Sequence, residues 1–210
     1  MAGGKSEDGK NLAVFFDFEN LALGVRDMKQ RKFDIHIVLE RLLEKGKLVV
    51  KRAYADWERY SEYKRSLHEA AIELIEVPQR SVGGKNSADI RLVVDALDLC
   101  YAKEHIDAFV VCSGDSDFSP LVSKLRENNK YVIGLGVKNS TSDLLVDNCD
   151  EFIFYEDLVR RVEKKIDKSQ VPGRLQSMPP KKAEAFAHLV DGIQALLREN
   201  KEVGAYNQTI

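Results

Sequence analysis

The sequence predicts an α/β fold in three layers, with a parallel sheet held between two layers of helices. Short apolar runs rich in β-branched and aromatic residues alternate with segments whose apolar residues recur at helical spacing. This alternation is typical of βαβ units, in which each crossover helix covers one face of a parallel sheet. The chain of 210 residues, 44% of them hydrophobic, is long enough for one such domain and an appendage.

Six strands are predicted, each an apolar run that ends beside charged residues, glycine or proline. They are Leu12–Phe18, Leu48–Ala55, Leu74–Val77, Asp107–Cys112, Tyr131–Val137 and the short Phe152–Phe154. The helices predicted between and after them are a helix capped by Asp34 and ending at Gly46, then Glu58–Glu73, Ala88–Lys103, Pro120–Asn128 and Glu156–Ile166. Ser87 and Ser119 are expected as N-caps of the helices that follow them, with Pro120 in the first turn.

The two ends of the chain differ in composition from this central part. Residues 1–10 lack the apolar segment of a secretory signal and are expected to be a flexible leader. The α/β domain is expected over residues 11–167, and residues 168–182, with three prolines and a basic bias, read as a linker. Residues 183–210 are expected to form a helical segment, because apolar residues from Phe186 to Leu197 follow the helical period.

Composition limits the classes of function. The net charge of −2 means that any contact with nucleic acid has to be a local patch. No apolar run approaches the ~20 residues of a membrane span, so no membrane association is expected. The three cysteines form no CxxC pair, which fits a reducing cytoplasm and argues against a disulfide framework or a zinc site.

Acidic residues occur at three places that a parallel sheet brings to one edge. Asp17 ends the first strand, Asp115 and Asp117 follow the fourth, and Asp89 lies in the first turn of the helix after the third. A polar turn is the alternative interpretation of Ser113–Asp117 taken alone, since Gly, Ser and Asp are common turn residues. Four carboxylates together would suit Mg²⁺ or Mn²⁺, and such an ion activates water toward a phosphodiester.

Basic and aromatic residues near the same edge are candidates for holding a polyanion. The basic candidates for contacts with a phosphate backbone are Arg52, Arg80, Lys85 and Lys138. A solvated loop lysine is the alternative interpretation of Lys85. Tyr54 and Trp57 are candidates for stacking on unpaired bases, and packing in the core is at least as good an explanation.

Three segments carry a resemblance to a known family. FFDFEN (Phe15–Asn20), GGKNSADIRLVVD (Gly83–Asp95) and CSGDSDF (Cys112–Phe118) resemble the NYN domain family, LabA-like branch, of the PIN-like nuclease superfamily. The resemblance covers roughly residues 11–160 and implies a PIN-like, Rossmann-type fold with a metal-dependent ribonuclease site. It implies that Asp17, Asp89, Asp115 and Asp117 form the acidic site. It also implies that Asn20 and Ser113 assist through hydrogen bonds.

The tail from about Lys182 is similar to the start of an OST-HTH (LOTUS) module, an RNA-associated winged-helix type. An ordinary amphipathic helix that packs back on the domain is the alternative. The partners expected are RNA and, through the C-terminal segment, a further protein or RNA, and a homodimer stays open.

The residues and the resemblance together predict a Mg²⁺- or Mn²⁺-dependent ribonuclease that hydrolyses RNA phosphodiester bonds. The alternative is an RNA-binding regulatory protein whose nuclease-like site binds metal but is weakly active or inactive. A third interpretation is a phosphatase of the haloacid-dehalogenase type, which needs a second aspartate two positions after its nucleophile. This chain has Glu19 two positions after Asp17, which disfavours that mechanism.

Overall fold

The computed structural model describes residues 9–28, 32–77 and 87–169, with side chains as far as Glu163. The chain divides into two compact units, Met1–Val162 and Glu163–Ile210, and the description below concerns the first. Several predictions lie outside the described residues: most of the leader, the loop with Arg80 and Lys85, and the C-terminal helical segment with nearly all of the linker.

A six-stranded parallel sheet forms the centre of the first unit. Its strands are β1 (Lys10–Asp17), β2 (Gly46–Ala55), β3 (Glu73–Glu76), β4 (Ala108–Cys112), β5 (Tyr131–Gly136) and β6 (Glu151–Phe154). They lie in the order β3-β2-β1-β4-β5-β6, and every neighbouring pair is parallel. The predicted parallel sheet is therefore confirmed, with strand ends shifted by one or two residues.

Helices connect the strands and cover the sheet. They are α1 (Phe18–Asp27), α2 (Ile35–Leu43), α3 (Ser61–Glu69), α4 (Ser87–Ala102), α5 (Ser119–Glu127), α6 (Asp143–Asn148) and α7 (Tyr155–Ser169). Short 3-10 helices occur at Ser116–Phe118 and Lys138–Ser140. None of the helices in the described ranges has the length and apolar character needed to cross a bilayer.

Two apolar clusters lie on opposite faces of the sheet. Alternate residues of β1 belong to different clusters, since Val14 and Phe16 pack with α1 and α2, whereas Ala13 and Phe15 pack with α4 and α5. Successive side chains of a strand point to opposite faces, so this division marks the two sides of the sheet. The predicted three-layer architecture is confirmed.

Helix α1, like the shorter α6, is not among the helices predicted from the sequence. Its buried residues Phe18, Leu21, Ala22 and Val25 recur at the helical spacing. The helix begins directly after β1 with no connecting turn, because Asp17 is both the last residue of the strand and the N-cap of the helix. Phe18 extends the apolar run of the strand in sequence, which hides the boundary between the two elements.

The helix caps agree with the predictions in part. Asp34 caps α2 as expected, accepting a hydrogen bond from the backbone N–H of His36 at 2.9 Å. The prediction of Ser119 as an N-cap is wrong, since Ser119 is the first residue of α5. The prediction for Ser87 stays a prediction, because the residue before it lies outside the described residues. At Ser119 the reason is the 3-10 helix immediately before it, which makes Phe118 the cap of α5 and leaves the Ser119 hydroxyl buried.

An aromatic cluster packs the start of α1 against Phe33, which precedes α2, and against the segment that follows β2. The Phe18 ring lies 5.0 to 5.7 Å, between ring centroids, from Phe33, Trp57, Tyr60 and Tyr63. Trp57 is only 1% exposed and Phe18 is fully buried. Trp57 therefore belongs to the core and is not available to stack on a base.

We expect Phe18→Ala to lower the free energy of unfolding by roughly 3–5 kcal/mol, because it removes the ring that all four neighbouring aromatic groups contact. Urea denaturation followed by circular dichroism measures this change. Leu43→Ala is the control, since Leu43 is 61% exposed and its truncation should change stability by less than ~0.5 kcal/mol. Equal losses of stability in the two variants would show that the cluster does not hold α1 in place.

Candidate functional site

The strand order identifies one crevice at the carboxyl edge of the sheet. Strand β1 lies between β2 and β4, and the chain turns to opposite sides of β1 to form the two halves of the sheet. In open α/β sheets, ligands bind at this topological switch point, outside the carboxyl ends of the two central strands. Phe16 pairs with Cys112 in register, so Asp17 and Ser113 leave their strands side by side.

A buried hydrogen bond joins the ends of β1 and β4. Ser113 Oγ donates to Asp17 Oδ2 at 2.8 Å and also accepts from the backbone N–H of Asp115 at 3.2 Å. The other carboxylate oxygen of Asp17 accepts from the backbone N–H of Asn20 at 3.3 Å. Both oxygens of Asp17 are therefore held, one by the loop after β4 and one by the first turn of α1.

The loop after β4 is fixed by further contacts. Asp115 Oδ1 accepts from the backbone N–H of Asp117 at 2.9 Å, and Asn20 Oδ1 accepts from the N–H of Gly114 at 2.9 Å. The backbone N–H of Ser142 donates to the Gly114 carbonyl at 2.9 Å. A Cβ at position 114 would collide with the backbone carbonyl of Ser140, so only glycine allows this close approach.

Burial and crowding raise the pKa of two carboxyl groups. Burial raises the pKa of Asp17 to about 7 and outweighs the hydrogen bond from Ser113, while the charge of Asp89 adds to the rise. The pKa of Asp89 rises to about 6, first because the group is half-buried and then because Asp115 and Asp117 repel its charged form. The structure thus brings together acidic residues from three separate segments of the chain, which carry Asp17, Asp89, and the pair Asp115 and Asp117.

Glu19 is an acidic neighbour that the sequence analysis left out. It lies in the first turn of α1, and its Oε1 accepts from the backbone N–H of Asp56 at 3.3 Å. Its charge contributes to the raised pKa of Asp17 and of Asp89. The signal that could have found it is the helical spacing of Phe18, Leu21 and Val25, which begins the helix directly after Asp17.

The donor set suits a hard cation. The ligand atoms offered are carboxylate and hydroxyl oxygens, which Mg²⁺ and Mn²⁺ prefer. In the described part of the chain, no lysine or arginine forms an ion pair with Asp17, Asp89, Asp115 or Asp117. Within the same residues, no three His, Cys, Asp or Glu side chains are grouped to bind one ion directly. Mg²⁺ typically uses one or two carboxylates and several waters, so the donors fit an ion held partly through water.

The basic candidates that the structure describes are already paired. Arg52 Nε lies 2.8 Å from Glu73 Oε2, and its Nη1 lies 3.9 Å from Asp95. Lys138 Nζ lies 3.0 Å from Asp157 Oδ1. Their role in substrate binding stays a prediction, as do the roles of Arg80 and Lys85, which lie outside the described residues.

Tyr54 is a core residue. It is fully buried, and its hydroxyl donates to Asp95 Oδ2 at 2.8 Å. Of the two roles considered for Tyr54, packing in the core is the one that the structure supports. Asp95 also pairs with Arg91, at 3.1 Å.

Comparison with known proteins gives matches over the described domain. The family model of the NYN domain matches residues 11–156. The chain is 29% identical over 149 residues to the uncharacterized protein MJ0482 of Methanocaldococcus jannaschii, a match that covers 71% of this chain and 57% of that protein. The chain thus spans little more than half the length of this relative.

A solved structure has the same fold. The crystal structure of a protein of unknown function, VPA0982, from Vibrio parahaemolyticus aligns with a TM-score of 0.65 and 24% sequence identity. The alignment covers 74% of this chain and 98% of that one. Since the family model spans the sheet from β1 to the start of α7 and includes every acidic residue of the crevice, the chain belongs to the NYN domain family.

Proposed function

We propose that this protein is a divalent-metal-dependent ribonuclease that hydrolyses phosphodiester bonds at Asp17, Asp89, Asp115 and Asp117. NYN domains belong to the PIN-like nucleases, and that family supports hydrolysis of nucleic acid as the reaction class. The observation that carries the proposal is the group of four carboxylates at the switch point of the sheet, none of which forms an ion pair with a basic side chain of the described residues. Burial and neighbouring acids raise the pKa of two of them, Asp17 and Asp89.

Mg²⁺ or Mn²⁺ is the proposed cofactor, and the four aspartates are its proposed ligands, in part through water. A bound divalent ion would neutralise charge on the phosphodiester and lower the pKa of an attacking water. Without a cation the crevice is negative and repels an RNA backbone. The carboxylates therefore make RNA binding depend on the ion.

The surrounding residues position these carboxylates. Ser113 and Asn20 each hold one oxygen of Asp17, and Asn20 also holds the loop of Asp115 through the N–H of Gly114. We propose that these two residues keep the carboxylates in one arrangement while substrate enters. The proposed contacts to the RNA backbone are Lys85, Arg80, Arg52 and Lys138.

A second candidate function is RNA binding with weak or no cleavage, in a regulatory protein. The observation that favours it is the lack, among the described residues, of three acidic side chains close enough to share one ion directly. Binding of RNA that depends on metal and yields no product, across RNAs of varied sequence and structure, would support this candidate over catalysis.

The wider organisation of the protein is also proposed. The α/β domain would span residues 11–167 and be joined by a linker at 168–182 to a helical segment at 183–210. We propose that this segment starts an OST-HTH/LOTUS module that contacts RNA or a protein, that the protein works in the cytoplasm, and that a homodimer is one of its states.

We expect Asp115→Asn to lower the rate of RNA cleavage in Mg²⁺ or Mn²⁺ by on the order of 100-fold or more, the effect of removing one preorganised electrostatic group. The fold should stay intact, because asparagine caps the Ser116–Phe118 helix as well as aspartate does. Cleavage of a labelled single-stranded RNA measures the rate.

The control for this experiment is Asp98→Asn, since Asp98 is an exposed acid of α4 about 13 Å along the helix from Asp89. It removes the same charge outside the crevice and should cleave at the wild-type rate. Full activity of Asp115→Asn in a preparation free of contaminating nucleases would contradict the proposed catalytic site.

We expect Mn²⁺ to raise the melting temperature more at pH 8 than at pH 6. The pKa of Asp17 is about 7 and that of Asp89 about 6, both above the ordinary value of 3.8, so the folded protein binds protons more tightly than the unfolded chain. Without metal, the contribution of these two groups to stability falls as the pH rises from about 4 to 7. Metal replaces those protons, and it binds better once they have left.

Differential scanning fluorimetry with and without Mn²⁺ measures this difference. Asp89→Asn should reduce the metal-induced shift at pH 8, whereas Asp98→Asn should keep it. An equal shift at both pH values, or a shift that Asp89→Asn leaves unchanged, would show that the ion binds elsewhere.

A further inference from the structure

A cavity of about 740 Å³ opens beside the acidic crevice, between the first turns of α4 and the start of α5. Asp89 and Asp117, two of the four aspartates, form part of its wall. Clefts of ~300–1,000 Å³ are typical of sites for small molecules. The cavity is therefore large enough for a ligand and directly continuous with the proposed catalytic group.

Most of the remaining wall is apolar and exposed to solvent. Ile90, Val94 and Leu144 line the cavity and are 63%, 55% and 57% exposed. Six large hydrophobic residues are exposed in the described part of the chain, and the other three are Leu23, Leu43 and Tyr101. Half of these residues thus meet at one place beside the crevice, and such clustering marks a binding surface.

Helix α4 has apolar residues on two faces. Leu92, Ala96 and Leu99 are buried against the sheet, whereas Ile90 and Val94 face outward into the cavity. A helix with apolar residues on both faces normally has both of them covered. The outward face near Asp89 is therefore shaped to contact a ligand.

Serine hydroxyls supply polar groups in this apolar wall. Ser116, Ser119 and Ser123 all line the cavity. Ser119 is only 7% exposed, and its Oγ is buried without a hydrogen-bond partner among the described residues. Ser116 and Ser123 are not buried, so they supply the polar part of the wall that a ligand with a polar edge can contact.

The charged residues of the cavity wall indicate which chemical group of a ligand can bind there. No lysine or arginine is among the lining residues that the structure describes, so the cavity suits an uncharged group and not a phosphate. A nucleobase has flat apolar faces and a polar edge, which match the apolar residues and the serine hydroxyls. A docked protein helix would cover Asp89 and Asp117, the proposed ligands of the ion.

We propose that this cavity holds one unpaired nucleobase of the RNA strand, adjacent to the phosphodiester that is cleaved at the acidic crevice. The inference rests on the proposed function and adds to it a site for one base, in the cavity beside Asp89 and Asp117. A paired base is stacked inside a helix and cannot enter a cavity of this kind, whereas bases of single strands and loops are readily splayed out.

The test compares three RNA oligonucleotides of one sequence: the intact single strand, the same strand with one abasic residue next to the cleaved bond, and the duplex. In Mn²⁺, wild-type protein should cleave the abasic strand and the duplex with kcat/KM about tenfold lower than for the intact strand, comparable with the loss of one stacked base. Equal values for all three would overturn the inference.

A double-mutant cycle links this preference to the cavity. Leu144→Ala combined with Val94→Ala should lower kcat/KM for the intact strand about tenfold and leave the value for the abasic strand unchanged, since both changes remove the same contact. Leu43→Ala is the matched control, because Leu43 is 61% exposed on α2 and lies outside the cavity wall. Equal losses on both strands in the double variant would also overturn the inference.

The outcomes separate this inference from the proposed function. If kcat/KM is the same for the intact strand, the abasic strand and the duplex, and is unchanged in the double variant, the protein is a ribonuclease without a base site. If wild-type protein cleaves no RNA, fluorescence anisotropy with the same labelled strands tests the cavity, and binding must show the same preference. A change in sedimentation of the double variant with unchanged cleavage would identify a protein interface instead.

Discussion

Parallel pairing of β1 with β4 is the constraint on which the site depends. It places residues 96 positions apart side by side, and the buried hydrogen bond from Ser113 to Asp17 joins them. Asp17 is the last residue of β1 and the N-cap of α1, so the same side chain links the sheet, the helix and the loop after β4. Asn20 and Gly114 complete this link, and the carboxylates of Asp115 and Asp117 follow in a fixed loop.

This arrangement opposes stability in the absence of a cation. Asp17 is buried with a raised pKa, and Asp89 is held near Asp115 and Asp117, so each ionisation is resisted by burial or by like charge. Apolar clusters on both faces of the sheet supply the stability that tolerates this group. Local arrangements that lower stability are typical of functional sites.

The crevice and the adjacent cavity suit chemically different parts of a nucleic-acid strand. The carboxylates suit a cation and, through it, the charged phosphodiester, whereas the apolar wall of α4 and α6 suits the uncharged base. Asp89 belongs to both, because it begins α4 at the edge of the crevice and lines the cavity. One helix therefore positions the group that would bind the ion and the group that would bind the base.

The sequence by itself determined the fold class, the six strands to within one or two residues at their ends, and the positions of the four aspartates, because alternation, strand ends and acidic turn residues are local signals. Helix α1 and Glu19 were missed because Phe18 continues the apolar run of β1, which hides the helical spacing of Phe18, Leu21 and Val25. The pairing of Arg52 with Glu73 and the cavity beside Asp89 were decided by tertiary structure alone. Both depend on contacts between side chains distant in sequence, which no local pattern records.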